Sequence, residues 1–402
     1  MTTFAFAMTD NQEYPRFRLL ARRLRERGEE NRIYEGNSFE IITSGLRKRE
    51  LLLKDLEAAR SFIHIEYFRF GNDKAGREVR EILMRKAAEG VQVRFLNNNW
   101  SGLFTVPRSF FTEMIKAGVE EIRFTHIKQG FRKWLFRINH QQHRKIVVID
   151  GKVAYTGGMN LNDNYFYRWR DTHLRITGPV VARYSASFLE SWRDSGGRAS
   201  LQPEFYLKPG EAEVDAPFRG KSLQVVSSGP ENEPAPMLEA FCHILEEACD
   251  YVFLCTPYFV PPQRLLDAIK AAARRGVDVR LMLPENVDTP FLRPANRGYY
   301  AECLEAGVRV FERGGPFIHS KTLCADDALT VIGTTNLDER SFHINYEVDT
   351  LIYDEEVAAH MRRSFEADMD GAHEWTPQEW EMRRKWYQRA FSSFLRLLRR
   401  QF

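Results

Sequence analysis

Two stretches decide the reading of this chain: HRKIVVIDGKVAYTGGMN at residues 143–160 and HSKTLCADDALTVIGTTN at residues 319–336. Both fit H-x-K-x4-D-x6-G-x-x-N without a gap. The first does so through His143, Lys145, Asp150, Gly157 and Asn160, the second through His319, Lys321, Asp326, Gly333 and Asn336. A single H-x-K arises readily by chance. The same spacing twice in one chain, each at the same point of a longer repeat, marks a duplicated unit with shared chemistry.

The flanking sequence repeats as well. Residues 57–97, EAARSFIHIEYFRFGNDKAGREVREILMRKAAEGVQVRFLN, match residues 247–284, EACDYVFLCTPYFVPPQRLLDAIKAAARRGVDVRLMLP. Each reads as a buried strand, a loop, an amphipathic helix and a Gly-Val-x-Val-Arg entry into another strand. Further on, Ala117-Gly118-Val119 and Ala306-Gly307-Val308 each end a helix and open a strand. Such alternation predicts βαβ units, hence an α/β fold of two pseudo-twofold-related α/β/α sandwich domains sharing one active site. The expected organisation is a basic helical segment over 1–39, a first domain over 40–210, a second over 211–376 and a basic amphipathic helix over 377–402. Residues 201–222, rich in Pro, Gly and acids, read as the linker. Gly118 and His143 are 25 positions apart, whereas Gly307 and His319 are 12 apart, so the first copy carries an insert. It is basic and aromatic, around Phe131, Trp134, Leu135 and Phe136.

Composition narrows the classes. With 402 residues and 43% hydrophobic content the chain can bury a large core. No run approaches the roughly 18 apolar residues of a membrane-spanning helix. MTTFAFAMTDN at the start lacks a basic region and is interrupted by Asp10, unlike a secretory signal. Five cysteines, all in the second half, are odd in number and lack paired spacing, which points to reduced thiols in a cytosolic setting. Cys255 and Cys324 lie in apolar strand patterns and read as core. The net charge of +3 hides an asymmetry: residues 16–32 carry +4, residues 129–145 carry +5 and residues 377–402 carry +5, on a body of −11.

In extended chain, residues i and i+2 face the same way, so His143 projects with Lys145 and His319 with Lys321. If the copies pack about a dyad, two imidazoles and two ammonium groups meet in one cleft. One imidazole can attack while the other donates a proton. The lysines, with the amides of Asn160 and Asn336, suit the nonbridging oxygens of a phosphoryl group. That constellation fits phosphodiester chemistry without a metal. His140 and His143 have the spacing of a metal pair, but no Cys, Asp or Glu cluster completes a site.

The tandem H-x-K-x4-D motifs resemble those of the phospholipase D superfamily. HRKIVVIDGKVAYTGGMNLND, WRDTHLRITGP and GTTNLDERSFHINYEV resemble its bacterial cardiolipin synthases more closely, over roughly residues 40–400. The resemblance implies ping-pong transfer through a phosphatidyl-histidine, with His143 as nucleophile and His319 as general acid and then base. It implies that Asp171 and Glu347, each 11 residues past its Asn, hold the imidazole tautomers. Asp150 and Asp326 each precede a turn and read as braces of the strand-turn rather than substrate contacts. The implied partners are an anionic phospholipid and a membrane surface, with no nucleic acid and no cofactor. The implied location is the cytoplasm, bound peripherally to the inner face of the bacterial membrane. Two departures stand out. The position after each motif glycine, serine-type in the family, is Gly158 and Thr334 here, and the two N-terminal membrane helices of many relatives are missing.

The basic segments are therefore expected to replace those anchors. Phe131, Trp134, Leu135 and Phe136 are the expected membrane contacts. Trp380, Tyr387, Phe391, Phe394, Leu398 and Phe402 form one stripe of a helix, which packs either on the core or on lipid. Residues 16–32 read as a third contact or a solvated helix face. Glu66, a carboxylate in an apolar strand, sits at the cleft mouth or caps a strand edge, and His173 packs behind the site. Cardiolipin synthesis leads the readings. Hydrolysis to phosphatidic acid, a nuclease and a non-enzymatic scaffold follow; the aromatic insert suits acyl chains better than DNA.

Overall fold

Strands form where apolar runs and βαβ spacing place them. In the computed structural model the first half contributes β1 (Ile33–Ile42), β2 (Phe62–Tyr67), β3 (Gln92–Asn97), β4 (Glu120–Arg123), β5 (Ile146–Ile149), β6 (Val153–Gly157) and β7 (His173–Thr177). The second contributes β8 (Phe218–Ser228), β9 (Tyr251–Cys255), β10 (Phe259–Val260), β11 (Asp278–Pro284), β12 (Arg309–Arg313), β13 (Thr322–Ala325), β14 (Leu329–Gly333), β15 (Leu337–Asp338), β16 (Glu347–Ile352) and β17 (Ala372–Trp375). The structure describes residues 16–98, 106–124, 140–200, 202, 205–208, 210–289 and 291–383.

Fifteen of these strands make one sheet in the order β17-β12-β11-β9-β13-β14-β16-β8-β1-β7-β6-β5-β2-β3-β4. Read outward from the antiparallel β1–β8 pair, the two halves repeat the same succession, and β17 is added at one edge. A local twofold therefore passes between β1 and β8, and the two predicted sandwiches share a single continuous sheet. The parallel pairs β2–β3 and β9–β11 are the two predicted repeats. Gly118 and Gly307, with φ of 100° and 93°, stop their helices in the left-handed region that glycine adopts without strain.

The principal helices are α1 (Arg18–Glu26), α2 (Gly45–Ala58), α3 (Lys74–Ala88), α4 (Val181–Asp194), α5 (Pro236–Glu247), α6 (Gln263–Arg274), α7 (Glu355–Met369) and α8 (Pro377–Arg383). On one sheet face, α2 and α3 cover the first half, while α1, α5 and α6 cover the second. On the other face α4 and α7 bury one cluster drawn from both halves, including Phe39, Phe188, Trp192, Val348 and Phe365.

Two boundaries change. Strand β1 begins at Ile33, so a boundary at residue 39 would cut it. Strand β8 begins inside the expected linker, because Phe218 is buried and stacks on Phe39 at 5.1 Å. Within residues 16–32, helix α1 has the solvated basic face that is one of the two expected readings: Leu20, Ala21 and Leu24 are buried in the second-half core, and Arg16 pairs with Asp250 at 2.6 Å. In α8, Trp380 packs on Tyr300 and Trp375, at 4.9 and 5.1 Å. The rest of that stripe, from Tyr387 onward, lies outside the described residues, as do Phe131, Trp134, Leu135 and Phe136.

Candidate active site

Both H-x-K segments stop just short of a strand, since β5 begins at Ile146 and β13 at Thr322. Their chain is still bridged, but to the opposite half. Gln142 bridges Tyr346 and Ile318 bridges Arg170. The His143 N–H donates to the Tyr346 carbonyl at 3.0 Å, and the His319 N–H to that of Arg170 at 2.7 Å. The next residues, Glu347 and Asp171, are thereby delivered beside the imidazoles. His143 Nδ1 lies 2.8 Å from both Glu347 carboxylate oxygens, and His319 Nδ1 lies 2.8 Å from Asp171 Oδ2. Each histidine is thus held by the other half's carboxylate, and neither half contains a whole site.

His143, His319, Lys145, Lys321, Asp171 and Glu347 are all buried. Burial pushes His143 well below its ordinary value, reinforced by Lys145, Lys321 and Arg69. Burial and Lys321 bring His319 down to about 3, and Asp171 opposes them. Burial also lowers Lys145 to about 7 and Lys321 to about 8, and raises Glu347 to about 7. Lys145 Nζ donates to the His143 carbonyl at 2.7 Å, and Lys321 Nζ to that of His319 at 2.6 Å. Lys321 Nζ also lies 2.8 and 3.1 Å from the two ring nitrogens of His319.

The motif aspartates stand apart from this cluster. Asp150 accepts the backbone N–H groups of Arg60, Ser61 and Phe62 at 2.7–2.9 Å, and Asp326 those of Cys249, Asp250 and Tyr251 at 2.8–2.9 Å. Each ties the turn after its motif strand to the start of the neighbouring strand. Among the described residues, no group of three or more His, Cys, Asp or Glu has the arrangement of a metal site.

The family model described as "Cardiolipin synthase, PLD-like domain" matches residues 52–192 and 241–369, one segment over each of these histidine–carboxylate halves. The chain belongs to the cardiolipin synthase family. It is 34% identical to a cardiolipin synthase of Halalkalibacterium halodurans over 94% of this chain and 74% of that protein. Identity to cardiolipin synthase 2 of Bacillus cereus is 37%, over 89% and 69% respectively. The crystal structure of a phosphatidylserine synthase from Haemophilus influenzae aligns over 95% of this chain and all of that one, with a TM-score of 0.69 at 15% identity, a likeness of fold. Like its relatives in the cardiolipin synthase family, the chain is a phosphatidyltransferase of the phospholipase D type.

Against the family pattern, the two halves have diverged around the shared chemistry. A side chain at Gly158 would collide with the Asp171 carboxylate, whereas Thr334 fits beside Glu347 and accepts the Val348 N–H at 2.9 Å. Asn160 does not stand free for a phosphate. Its Oδ1 accepts the Arg69 N–H at 3.1 Å and its Nδ2 donates to Tyr165 Oη at 2.9 Å. Asn336, by contrast, keeps a buried Oδ1 without a partner. Glu66 is neither at a cleft mouth nor at a strand edge. Strand β2 is flanked on both sides, and both Glu66 oxygens are buried without a hydrogen bond, raising it to about 8. His173 packs behind the site with neither ring nitrogen bonded. Cys255 and Cys324 are core.

Sequence reading missed four contributors. Tyr165 and Trp169 flank His319, with ring centroids at 5.1 and 5.6 Å. Arg144 reaches the Glu347 and Ser228 carbonyls at 3.1 and 3.2 Å, tying the halves together. The buried Lys48 ammonium donates to the Met159 carbonyl at 2.9 Å beneath the Gly-Gly-Met-Asn loop. Tyr165 and Lys48 had one available signal, namely that the equivalent positions of the second copy hold Ser341 and Met237.

Proposed function

We propose that the protein makes cardiolipin from two phospholipids, with phosphatidylglycerol as donor and a second phosphatidylglycerol or another phospholipid as acceptor. The observation that carries this reading is the pair of buried imidazoles, each tied at Nδ1 to a carboxylate and flanked by a lysine. A carboxylate at Nδ1 puts the ring proton there and leaves Nε2 to react. His143 Nε2 attacks phosphorus, the bond from phosphorus to the glycerol oxygen breaks, and His319 protonates that oxygen. His319 then takes the proton of the acceptor hydroxyl as the new oxygen–phosphorus bond forms and the nitrogen–phosphorus bond breaks. Support for this division comes from the asymmetry of the rings. His143 Nε2 has no hydrogen bond among the described residues, whereas His319 Nε2 faces Tyr165 Oη at 3.4 Å and Lys321 Nζ at 3.1 Å. Lys145, Lys321 and Asn336 receive the nonbridging oxygens.

The protein works at an anionic membrane surface on the cytoplasmic side, and the insert carrying Phe131, Trp134, Leu135 and Phe136 meets the lipid. No helix among the described residues is long and apolar enough to cross a membrane. Both flanks of the insert lie beside the site: Phe124 packs on Tyr346 at 5.2 Å, and the Tyr346 N–H donates to the Gln141 carbonyl at 2.9 Å. Incubation of purified protein with phosphatidylglycerol vesicles should release glycerol and accumulate cardiolipin. Phosphatidic acid alone would mean a hydrolase, and nicking of plasmid in a parallel reaction would mean a nuclease. Flotation with anionic liposomes at low salt tests the membrane contact, and a protein that stays unbound refutes it.

A further inference from the structure

The reactive edges of the two histidines are not alike. Against His319 Nε2 stands the phenol of Tyr165, 3.4 Å away. Tyr165 is buried on the short turn Asn164–Arg168, with its ring edge-on to Trp169 at 4.7 Å and to His319 at 5.1 Å. Helix α2 presses on this turn from behind: a side chain at Gly45 would collide with the Tyr165 carbonyl. In the second copy the equivalent residue, five past the motif asparagine, is Ser341, which carries no phenol.

The first two hydrogen bonds have a fixed direction. A backbone N–H can only donate, so the Arg69 N–H at 3.1 Å identifies the Asn160 oxygen and turns its amide nitrogen toward Tyr165. The phenol oxygen accepts from that amide at 2.9 Å, and its own proton is free to point at His319 Nε2 when that nitrogen is bare. On the opposite edge Asp171 Oδ2, 2.8 Å from Nδ1, takes the ring N–H. The chain therefore runs Arg69 to Asn160 to Tyr165 to His319 to Asp171, and it is complete when the imidazole is neutral with its proton on Nδ1, with Lys321 Nζ 3.1 Å from the same Nε2.

We propose that Tyr165 is a positioning residue that holds His319 as this neutral tautomer between the two half-reactions, ready to act as a base, until the acceptor alcohol displaces the phenol from Nε2. The proposal rests on the transfer reading above. Proton balance is closed: His319 loses its Nε2 proton to the departing glycerol, Tyr165 caps the lone pair, and the acceptor hydroxyl restores the proton. A contact of 3.4 Å is long for a hydrogen bond, which suits a group that must yield to substrate. The charged and titratable groups facing His319 are Asp171 from the approach to β7, Lys321 on its own segment, Lys145 from the approach to β5, Tyr165, and Tyr258, whose ring lies 6.3 Å away. Of these, the Tyr165 hydroxyl alone donates to the Nε2 lone pair without bringing a charge.

The test is Tyr165→Phe, which keeps the ring contacts and removes the hydroxyl. A donor to the lone pair favours the neutral imidazole, so its loss raises the His319 pKa. Rapid-quench pH profiles of formation and consumption of the phosphatidyl-enzyme should both move to higher pH. The expected displacement is about half a unit, a threefold change in the ionisation constant. A plateau that drops with both limbs unmoved overturns the proposal, because a merely structural role would do that. Should the variant not fold, 15N spectra of the unmodified protein, with His319 assigned through His319→Gln, give a second reading. On the alkaline side of the His319 titration, Nδ1 protonated and Nε2 bare is the expected form of the neutral ring, and the opposite tautomer overturns it. If the unmodified protein forms no cardiolipin from phosphatidylglycerol, the transfer reading falls and this proposal with it. Normal synthesis with unshifted limbs in Tyr165→Phe removes only the role of Tyr165.

Discussion

Replacing Asp150 with alanine separates bracing from chemistry. Its Oδ1 accepts the N–H groups of Ser61 and Phe62 at 2.7 and 2.9 Å, and its Oδ2 that of Arg60 at 2.8 Å, where the chain enters the central strand β2. Alanine leaves three donors unpaired, at about 1–2 kcal/mol each after partial rehydration of a loop next to solvent. Asp150 also has φ of 51°, a left-handed conformation that costs alanine about 1 kcal/mol more. The expected loss is about 4–7 kcal/mol, a large share of the roughly 5–15 kcal/mol that a folded domain commands. Asp150→Asn should cost about half as much. It tolerates the backbone and keeps one oxygen for two of the donors, but it sets an amide against the third. Urea unfolding followed by circular dichroism gives the stabilities. Turnover measured at low temperature on fully folded protein should stay within about tenfold, since the carboxylate touches neither imidazole. A variant that unfolds at the same urea concentration as the parent yet loses turnover by a hundredfold would show that Asp150 acts in the chemistry.

Three further outcomes follow from the site. Asp171→Asn and Glu347→Gln should each lower turnover by about 100-fold or more through loss of tautomer control; by the cross-half pairing, Glu347→Gln slows formation of the phosphatidyl-enzyme, and rapid-quench kinetics at normal foldedness would reveal a reversed assignment. Because Lys145 and Lys321 sit near 7 and 8 and must be cationic to hold phosphate, kcat/KM for an anionic lipid should fall as pH rises through 7 to 8, while kcat falls less because bound phosphate keeps them protonated; a flat kcat/KM across that range contradicts this. Glu66, raised to about 8, contributes stability that is complete below the ordinary carboxylate range and lost as pH rises through 8, so Glu66→Gln should melt a few °C above the parent at pH 9 and with no such gain at pH 5; an equal shift at both pH values sinks that account.

The duplication was legible because it is written in local patterns. The paired Gly-Val-x-Val-Arg entries, the glycine stops at Gly118 and Gly307, and the ungapped motifs each reflect short-range geometry. The joining of the halves was not, because the β1–β8 pair brings together Tyr34 and Leu223, far apart in sequence and without a matching motif. Pairing His143 with Glu347 and His319 with Asp171 likewise needs the dyad, since spacing within one copy says nothing about which half a carboxylate serves. Glu66 was misplaced for a related reason. A carboxylate in an apolar run suggests an edge, whereas here β2 lies between β3 and β5 and burial is met by protonation rather than by solvent. Lys48 and Tyr165 sit in segments whose own periodicity is ordinary, and only their absence from the second copy sets them apart.

That divergence follows from the cross-pairing itself. Two identical halves joined through equivalent strands would give each histidine the same carboxylate, the same lysine and the same neighbours, hence two rings of equal basicity. The proposed transfer through a covalent intermediate gives them different tasks, one to attack and one to move a proton, and unequal rings fix which does which. Because each ring is held by the opposite half, a change in one copy alters the environment of the other copy's histidine. Asp171 with Gly158, and Tyr165 with Asn160, are first-half features that act on His319. Glu347 with Thr334 is a second-half feature that acts on His143. A duplicated chain can therefore adjust its two imidazoles independently while keeping both motifs intact, which an association of two identical chains about a true dyad cannot do. Restoring symmetry should consequently cost more in division of labour than in fold. Exchanging the diverged residues as a set, with Gly158→Thr and Asp171→Glu introduced together, should leave a folded protein in which formation and consumption of the phosphatidyl-enzyme approach the same pH dependence. The paired exchange matters because Gly158→Thr alone drives a side chain into the Asp171 carboxylate. If the double variant keeps two well-separated pH profiles, the inequality of the rings comes from elsewhere, and among the described residues Tyr165 is the remaining first-half group in contact with His319 Nε2.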